Sequence, residues 1–308
     1  MPYFSVIIPL YNKERFVVET LKSVLAQSFT DFEVLIINDG STDLSEEKIF
    51  QFKDNRIRYF AQKNQGVSKA RNFGIEMASS EYITFIDADD YWYPYFLQEM
   101  FLAIAKYPEQ KIFAGAIETE TSQIAIPAQY SIQKEGDYQI VNYFQASNKT
   151  SVLWTSCAVF HKNIFLENGV FDANLKSGQD TDLWIRIGLI YPIVFCWKIL
   201  ARYVYDADSL SKKTKYIPYK LDFSKFSEAE KTNPSLKKFL DLNRFSFAIK
   251  SKMNGDENNF ERFKNAISYG NLSLKKRILL ELPAPVLKSL LELNLLLVRV
   301  GLSKSVFK

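Results

Sequence analysis

Three carboxylates stand within four positions at Asp87-Ala88-Asp89-Asp90, directly after the apolar run Tyr82-Ile83-Thr84-Phe85-Ile86. Such a run suits a strand buried on both faces of a parallel sheet. The acidic residues then form the loop at that strand's carboxyl end, where open α/β sheets place their ligands. In an extended chain Asp87 and Asp89 point the same way. Like charges held that close repel, and a low local dielectric worsens this. A divalent cation removes the conflict, and hard oxygen ligands suit Mg²⁺ or Mn²⁺, which keep positions open for substrate phosphates. Taken alone, the same residues also read as an acidic turn ahead of a helix that begins at Pro94.

The elements that would hold this loop alternate strand and helix. Phe4-Ser5-Val6-Ile7-Ile8-Pro9 reads as a first buried strand, followed by the turn Leu10-Tyr11-Asn12, with Asn12 as an N-cap. Phe16, Val17, Leu21, Val24 and Leu25 recur at helical spacing. Glu33 to Ile37 is a second strand, ending in the turn-rich acidic loop Asn38-Asp39-Gly40-Ser41-Thr42-Asp43. Ile57 to Phe60 is a third strand. Gly66 then opens a helix that carries Lys69, Arg71 and Asn72 in its early turns. This alternation predicts a right-handed, doubly wound, mostly parallel sheet of the Rossmann-like kind.

Beyond the next amphipathic helix (Leu97, Met100, Phe101, Ile104, Ala105) the stretch 111–150 is irregular. Val152 to Phe160 reads as a strand, and Ile193 to Trp197 as an edge strand. Between them Ser177-Gly178 feeds a helix with Asp180 and Asp182 in its first turn. Two residues apart on a helix, these carboxylates diverge by about 200°, so only one faces a given site. The polar run from Asp206 to Lys213 reads as the end of the first domain. From Lys220 the pattern is helical only. The expected division is a domain over 1–215, with 1–110 and 111–215 as its two halves, and a helical region over 216–308.

Composition narrows the function classes. The chain has 308 residues, 47% of them hydrophobic and 15% aromatic, enough for a large core. Its two cysteines, Cys157 and Cys196, both lie in apolar runs and read as buried small hydrophobes. This fits a reducing cytoplasm, as does an N-terminus without a signal-peptide pattern. The net charge is +4. Between Asn271 and Lys308 seven basic residues face only Glu281 and Glu292, a local charge of +5 that leaves the remainder at −1. A nearly neutral body argues against nucleic acid as a partner. Pro283, Pro285 and scattered charges make the leucine-rich end too short a run to cross a membrane. A basic amphipathic tail on an anionic membrane surface is one reading, and a helix docked on the first domain or on a second copy is the other.

Ser5-Val6-Ile7-Ile8-Pro9-Leu10-Tyr11-Asn12, Asn38 to Asp43, Asn64 to Gly74 and Asp87-Ala88-Asp89-Asp90, in that order, resemble the motifs of the inverting family 2 glycosyltransferases of the GT-A fold. The resemblance covers roughly residues 3–210. It implies an α/β GT-A domain acting on a nucleotide-sugar donor, most readily a UDP-sugar, to which the helical pattern after Lys220 adds a C-terminal helical extension. It places Pro9, Tyr11, Asp39, Lys69, Arg71 and Asp87 at the nucleotide. It also implies that Asp89, with Asp87, holds Mn²⁺ or Mg²⁺, that Asp90 and Asn72 stand behind the metal or face the donor sugar, and that Asp180 is the catalytic base. Gln179 stands where the family often has a glutamate, and Asp206 lies near the place of a frequent histidine; the lone histidine, His161, reads as a helix-start or surface residue. The basic, amphipathic tail suggests the acceptor, a glycan or lipid-linked glycan at the cytoplasmic face of the inner membrane, as in surface polysaccharide or lipopolysaccharide assembly. The rival expectations are a non-catalytic nucleotide-sugar or glycan-binding relative and, lower, a dinucleotide-dependent oxidoreductase or a nucleotidyltransferase. No glycine-rich loop follows the first strand, which counts against the last two.

Overall fold

The computed structural model describes residues 1–120, 124–204 and 223–299. The chain forms two compact units, residues 1–209 and 210–308. The expected boundary at 215, the run Asp206 to Lys213 and Asp206 itself lie outside the described residues.

The first unit is built on one mixed sheet in the order β3-β2-β1-β4-β9-β6-β10-β5. Its strands are β1 (Phe4–Leu10), β2 (Phe32–Asn38), β3 (Ile57–Ala61), β4 (Tyr82–Phe85), β5 (Tyr91–Trp92), β6 (Ile112–Glu120), β9 (Ala158–His161) and β10 (Ile193–Tyr203); β7 (Ala125–Pro127) pairs with β6, and β8 (Tyr138–Val141) with β10. The helices of this unit are α1 (Val17–Leu25), α2 (Ser45–Ile49), α3 (Val67–Met77), α4 (Phe96–Lys106), α5 (Tyr143–Ala146), α6 (Asn163–Asn168) and α7 (Gln179–Gly188).

The first four long strands run parallel, as the alternation of the sequence requires. Every residue of β1 and β2 is buried, which explains their unbroken apolar runs. The β1–β4 ladder ends at the pair Ile7–Phe85, two residues before Pro9. Beyond that point β1 has no neighbour on its β4 side, so a residue without an N–H is tolerated there. The order of strands reverses at this place, where an open α/β sheet leaves a crevice at the carboxyl ends of its strands. Helix α3 lies tightly on β1: a Cβ on Gly74 would meet Ile7 Cγ2 at 2.4 Å.

Three local expectations are corrected. Helix α1 starts at Val17, and Asn12 adopts a left-handed φ of 50° in a loop instead of capping it. The stretch 152–160 is mostly not a strand: a 3-10 turn over Thr155–Cys157 precedes β9, which runs antiparallel to β4 and β6. Finally, β10 is an interior strand of 11 residues. It pairs with β6 along one side and with β8 and β5. Its register shifts between Cys196 and Ile199, so Trp197 and Lys198 form a bulge that made the apolar run look finished.

The second unit contains α8 (Ser227–Thr232), α9 (Pro234–Met253), α10 (Glu257–Asn265), α11 (Leu274–Glu281) and α12 (Ala284–Arg299). Phe245, Ile249, Phe260, Phe263, Leu280 and Leu287 belong to its core. Asp241 is fully buried and accepts from Lys237, Asn271 and the backbone N–H of Ser268, which ties α9 to the turn after α10. Among the described residues no helix is long and apolar enough to cross a membrane.

Candidate active site

The crevice between β1 and β4 gathers loops from the ends of β1, β2 and β4 and the starts of α3 and α7. The first two loops are stitched together. Asn12 donates its backbone N–H to Ser41 Oγ at 3.1 Å and accepts at Oδ1 from the Thr42 N–H at 2.8 Å. The Glu14 N–H donates to Asp43 Oδ2 at 2.9 Å, and the Lys13 N–H to Ser45 Oγ at 2.9 Å. The motif residues from Asn12 to Asp43 thus brace one another and give the crevice a rigid wall.

Asp39 is buried, and its carboxylate gathers the loop that leads into α3. Oδ1 accepts from Gln62 Nε2 at 2.7 Å and from the Gln65 N–H at 2.9 Å, while Oδ2 accepts from the Gly66 N–H at 2.8 Å. Gly40 follows at a φ of 73°, and a Cβ there would stand 2.9 Å from the Asn64 backbone nitrogen. Only glycine lets the two loops approach so closely. Pro9 is buried beside this loop, and the Asp39 N–H donates to the Leu10 carbonyl at 2.8 Å. The Tyr11 side chain is 47% exposed.

Arg71 is the centre of the site. It is 3% exposed, and its guanidinium forks between two carboxylates: Nη2 donates to Asp87 Oδ1 at 2.6 Å and Nη1 to Asp180 Oδ1 at 2.7 Å. Its plane lies over the Phe171 ring at 5.1 Å. Burial opposes its charge, but the two carboxylates outweigh that and raise its pKa. One arginine thereby joins α3, the loop after β4 and the first turn of α7.

The carboxylates after β4 divide in direction. The side chains of Asp87 and Asp89 are 36% and 14% exposed, and Asp89 Oδ2 pairs with Lys13 Nζ at 2.6 Å. Asp90 turns inward. It is buried and accepts from Ser156 Oγ at 2.5 Å and from the Val204 N–H at 3.2 Å, while its carbonyl accepts from Thr20 Oγ1 at 2.8 Å. Burial, then the charges of Asp87 and Asp89, push its pKa well up. Asp90 thus holds the loop from behind. Among the described residues no three His, Cys, Asp or Glu side chains form a metal-holding group. The carboxylates of this loop that face outward are Asp87 and Asp89. Two carboxylates suit a hard divalent cation of the Mg²⁺ or Mn²⁺ kind.

Asp180 is the second residue of α7 and its side chain is 39% exposed. Its pKa is raised by burial first and by the Asp87 charge, against the lowering effect of Arg71 and of a hydrogen bond from Thr155. Asp182 faces the other way, fully buried, and pairs with Arg186 Nε at 3.0 Å. Arg186 also donates to the Val170 carbonyl at 2.7 Å, so this pair fixes the loop ahead of α7. Asn72 and Lys69 are the other α3 residues expected near the donor. Asn72 bonds the backbone of Phe171. Lys69 is exposed and, with Asn72, lines a cleft of about 670 Å³ that also includes Gln62 and Gln65, the two residues that donate to Asp39. His161 lies on β9, paired with Tyr82 at the opposite end of β4 from the acidic loop.

Sequence reasoning missed Lys13, Gln62, Thr155, Ser156 and Phe171. Lys13 stands beside Tyr11 and Asn12 in the first motif, the one available signal. Thr155 and Ser156 lie in a stretch that reads as a strand but turns at Thr155–Cys157, and Gln62 and Phe171 lie in loops.

Solved structures support this fold. The chain aligns with S. aureus TarS 1-349 in complex with UDP-GlcNAc at a TM-score of 0.58 and 18% identity, covering 90% of this chain and 78% of that one. A second structure, of TarS 1-349 in complex with UDP, aligns at 0.54 over 89% and 77%. Both define a GT-A-like α/β domain with C-terminal helices. Among curated proteins, a Rickettsia felis protein named an uncharacterized glycosyltransferase is 37% identical over 184 residues, which is 59% of this chain and 30% of that protein. The minor teichoic acid biosynthesis protein GgaB of Bacillus subtilis is 31% identical over 192 residues, 58% of this chain and 20% of GgaB. The matched region spans less than a third of either relative. The model of the family described as Glycosyl transferase family 2 matches residues 5–169. The chain belongs to that family.

Proposed function

We propose that the chain transfers a sugar from a nucleotide-sugar donor to an acceptor hydroxyl of a glycan or lipid-linked glycan, with inversion and with the help of a divalent cation. The observation that carries this reading is the Arg71 fork, which links a carboxylate of the candidate donor site, Asp87, to a carboxylate at a helix start, Asp180, at 2.6 and 2.7 Å. The two partners of a single displacement must meet between such groups.

In this reading Tyr11 offers its exposed ring to the base, and the loop of Pro9 and Asp39 frames base and ribose. Asp87 and Asp89 hold Mn²⁺ or Mg²⁺. When bound, the cation offsets the negative charge that grows on the leaving nucleotide diphosphate. Asp180 accepts the proton of the acceptor hydroxyl as its oxygen attacks the anomeric carbon. Arg71 and the start of α7 favour the ionised carboxylate that this requires. A UDP-sugar is the donor favoured, on the likeness to TarS, which was crystallised with UDP-GlcNAc. Surface polysaccharide assembly is the process favoured, on the relation to a teichoic acid biosynthesis protein.

The second unit adds a surface. Leu274 and Ile278 on α11, and Val286, Leu290 and Leu293 on α12, are exposed at helical spacing. Lys275, Arg277 and Lys288 are exposed among them. This pattern favours contact with an anionic membrane at the cytoplasmic face, where a lipid-linked acceptor would be found. Flotation with vesicles containing anionic lipid tests it: loss of binding on changing Leu274, Ile278 and Leu290 to serine supports the contact, and unchanged flotation rejects it.

The donor site is tested by calorimetry with UDP, and GDP for comparison, with and without Mn²⁺, on the wild type and on Asp89→Ala. UDP binding that needs Mn²⁺ and is lost in the variant supports the reading. Absence of any nucleotide binding rejects it in favour of a non-catalytic glycan-binding relative.

A further inference from the structure

Two neighbouring hydroxyls on one buried turn reach the two halves of the candidate site. Thr155 and Ser156 lie in the 3-10 turn Thr155–Cys157 and are 5% and 1% exposed. Successive residues of such a turn point about 120° apart, so the two side chains leave in different directions. The Thr155 hydroxyl donates to the Asp180 carboxylate. The Ser156 hydroxyl donates to Asp90 Oδ2 at 2.5 Å and accepts from the Asp87 N–H at 3.1 Å. The turn itself is anchored on both sides. Trp92 Nε1 donates to the Ser156 carbonyl at 2.6 Å, and Thr84 Oγ1 to the Ala158 carbonyl at 2.9 Å.

A buried hydroxyl needs a partner, and a nearby backbone carbonyl can serve. Ser23 and Ser151 take that course, donating to the carbonyls of Thr20 and Leu153 at 2.7 and 2.8 Å. Thr155 and Ser156 instead donate to carboxylates of the site. Each contact meets a specific need. Arg71 grips Oδ1 of Asp180 at 2.7 Å, and the last torsion of an aspartate side chain is broad. A second donor stops the carboxylate from turning. The stretch from Asp87 to Asp90 is a turn closed by the Asp90 N–H on the Asp87 carbonyl at 2.9 Å. Ser156 spans it, from the backbone of its first residue to the side chain of its last.

We propose that the Thr155–Ser156 turn is a positioning element for the transfer reaction: Thr155 aims the Asp180 carboxylate at the acceptor hydroxyl, and Ser156 sets the acidic loop that holds the cation. Neither residue touches a reacting atom. Because they are neighbours on one turn, the base and the cation site are held at one separation. The inference rests on the roles proposed for Asp180, Asp87 and Asp89.

Water stands in for the acceptor in the test. UDP release from a panel of UDP-hexoses and UDP-N-acetylhexosamines with Mn²⁺ gives kcat and KM, and calorimetry with UDP and Mn²⁺ gives affinity. Thr155→Val and Thr155→Ala lack the hydroxyl, and Thr155→Ser keeps it. Ser156→Ala removes the second hydroxyl, and Ser156→Cys replaces it with a weak donor. The expected pattern is crossed. The two hydroxyl-free Thr155 variants lose about ten- to hundredfold in kcat at wild-type UDP affinity, and Thr155→Ser recovers most of the rate. The Ser156 variants bind UDP with Mn²⁺ about tenfold more weakly. Residues that only pack the turn would lower kcat, affinity and melting temperature together. That joint loss, wild-type kcat in the hydroxyl-free Thr155 variants, a Thr155→Ser as slow as Thr155→Val, or wild-type affinity in both Ser156 variants overturns the inference while the wild type still binds and turns over a donor. A wild type that binds no UDP, or binds it and releases it from no UDP-sugar, overturns the proposed function along with the inference.

Discussion

Asn72 closes both hydrogen bonds of its amide on the backbone of one residue, Phe171: Nδ2 donates to the Phe171 carbonyl at 2.8 Å, and Oδ1 accepts from the Phe171 N–H at 3.0 Å. This is the geometry of a strand pair, made by a side chain. It holds a loop residue 99 positions away against α3 and sets its ring on Arg71. Replacing Asn72 with alanine leaves both backbone groups without partners, at a cost of about 1–3 kcal/mol. Asn72→Ala is expected to melt several degrees lower and to lose transfer activity, with nucleotide affinity nearly unchanged. Nucleotide binding that collapses with the mutation would instead place Asn72 at the donor.

Asp180 should separate binding from turnover. Asp180→Asn keeps the size and the contact with Thr155 but cannot take a proton. Its transfer rate is expected to fall about 10²–10⁴-fold, with donor binding retained. Because the Asp180 pKa lies above the ordinary aspartate value, the wild-type rate is expected to decline with falling pH sooner than an exposed aspartate would allow. The acid limb of the pH–rate profile measures this. Full activity in Asp180→Asn removes Asp180 from the chemistry.

Glu33 carries a stability prediction. Its carboxylate accepts from Ser5 Oγ at 2.6 Å, from both the N–H and the hydroxyl of Ser79, and from Arg58 at 2.7 Å. Burial alone would raise its pKa, but these donors outweigh burial and lower it. A carboxylate with a depressed pKa contributes stability above its unfolded value, near pH 4.3, and loses it as the pH falls through the lower folded value. Glu33→Gln is therefore expected to be less stable than wild type at pH 7 and to show a shallower loss of melting temperature below about pH 4.3. Parallel melting curves from pH 7 to pH 3 would contradict it.

Tyr11 tests the wall of the crevice. If its exposed ring stacks on the base, Tyr11→Ala weakens UDP binding by about 1–3 kcal/mol and leaves the melting temperature where it was. Equal affinity for UDP in the variant and the wild type would take the ring out of the donor site.

The parts of the site that were legible in the sequence are those whose local spacing already fixes direction. The apolar run before Asp87 gave the strand and its carboxyl end, and the 200° rule separated Asp180 from the buried Asp182. Spacing does not choose between the two places implied for Asp90; the turn closed by its N–H on the Asp87 carbonyl at 2.9 Å does, by rotating it inward. Lys13 escaped notice because its partner, Asp89, lies 76 residues away. The full length of β10 is hidden in the sequence, because a bulge carries Trp197 and Lys198 out of register and an extra residue breaks the alternation.

The missing side chain of Gly74 sets how far Arg71 reaches. The two residues are three apart on α3, one turn of the same helix, and with no methyl group at 74 the helix axis can sit low on Ile7. A methyl group there would act as a shim. It would lift the helix and draw the guanidinium back from Asp87 and Asp180, so that the spacing of two acids across the crevice is gauged by an atom the protein does not have.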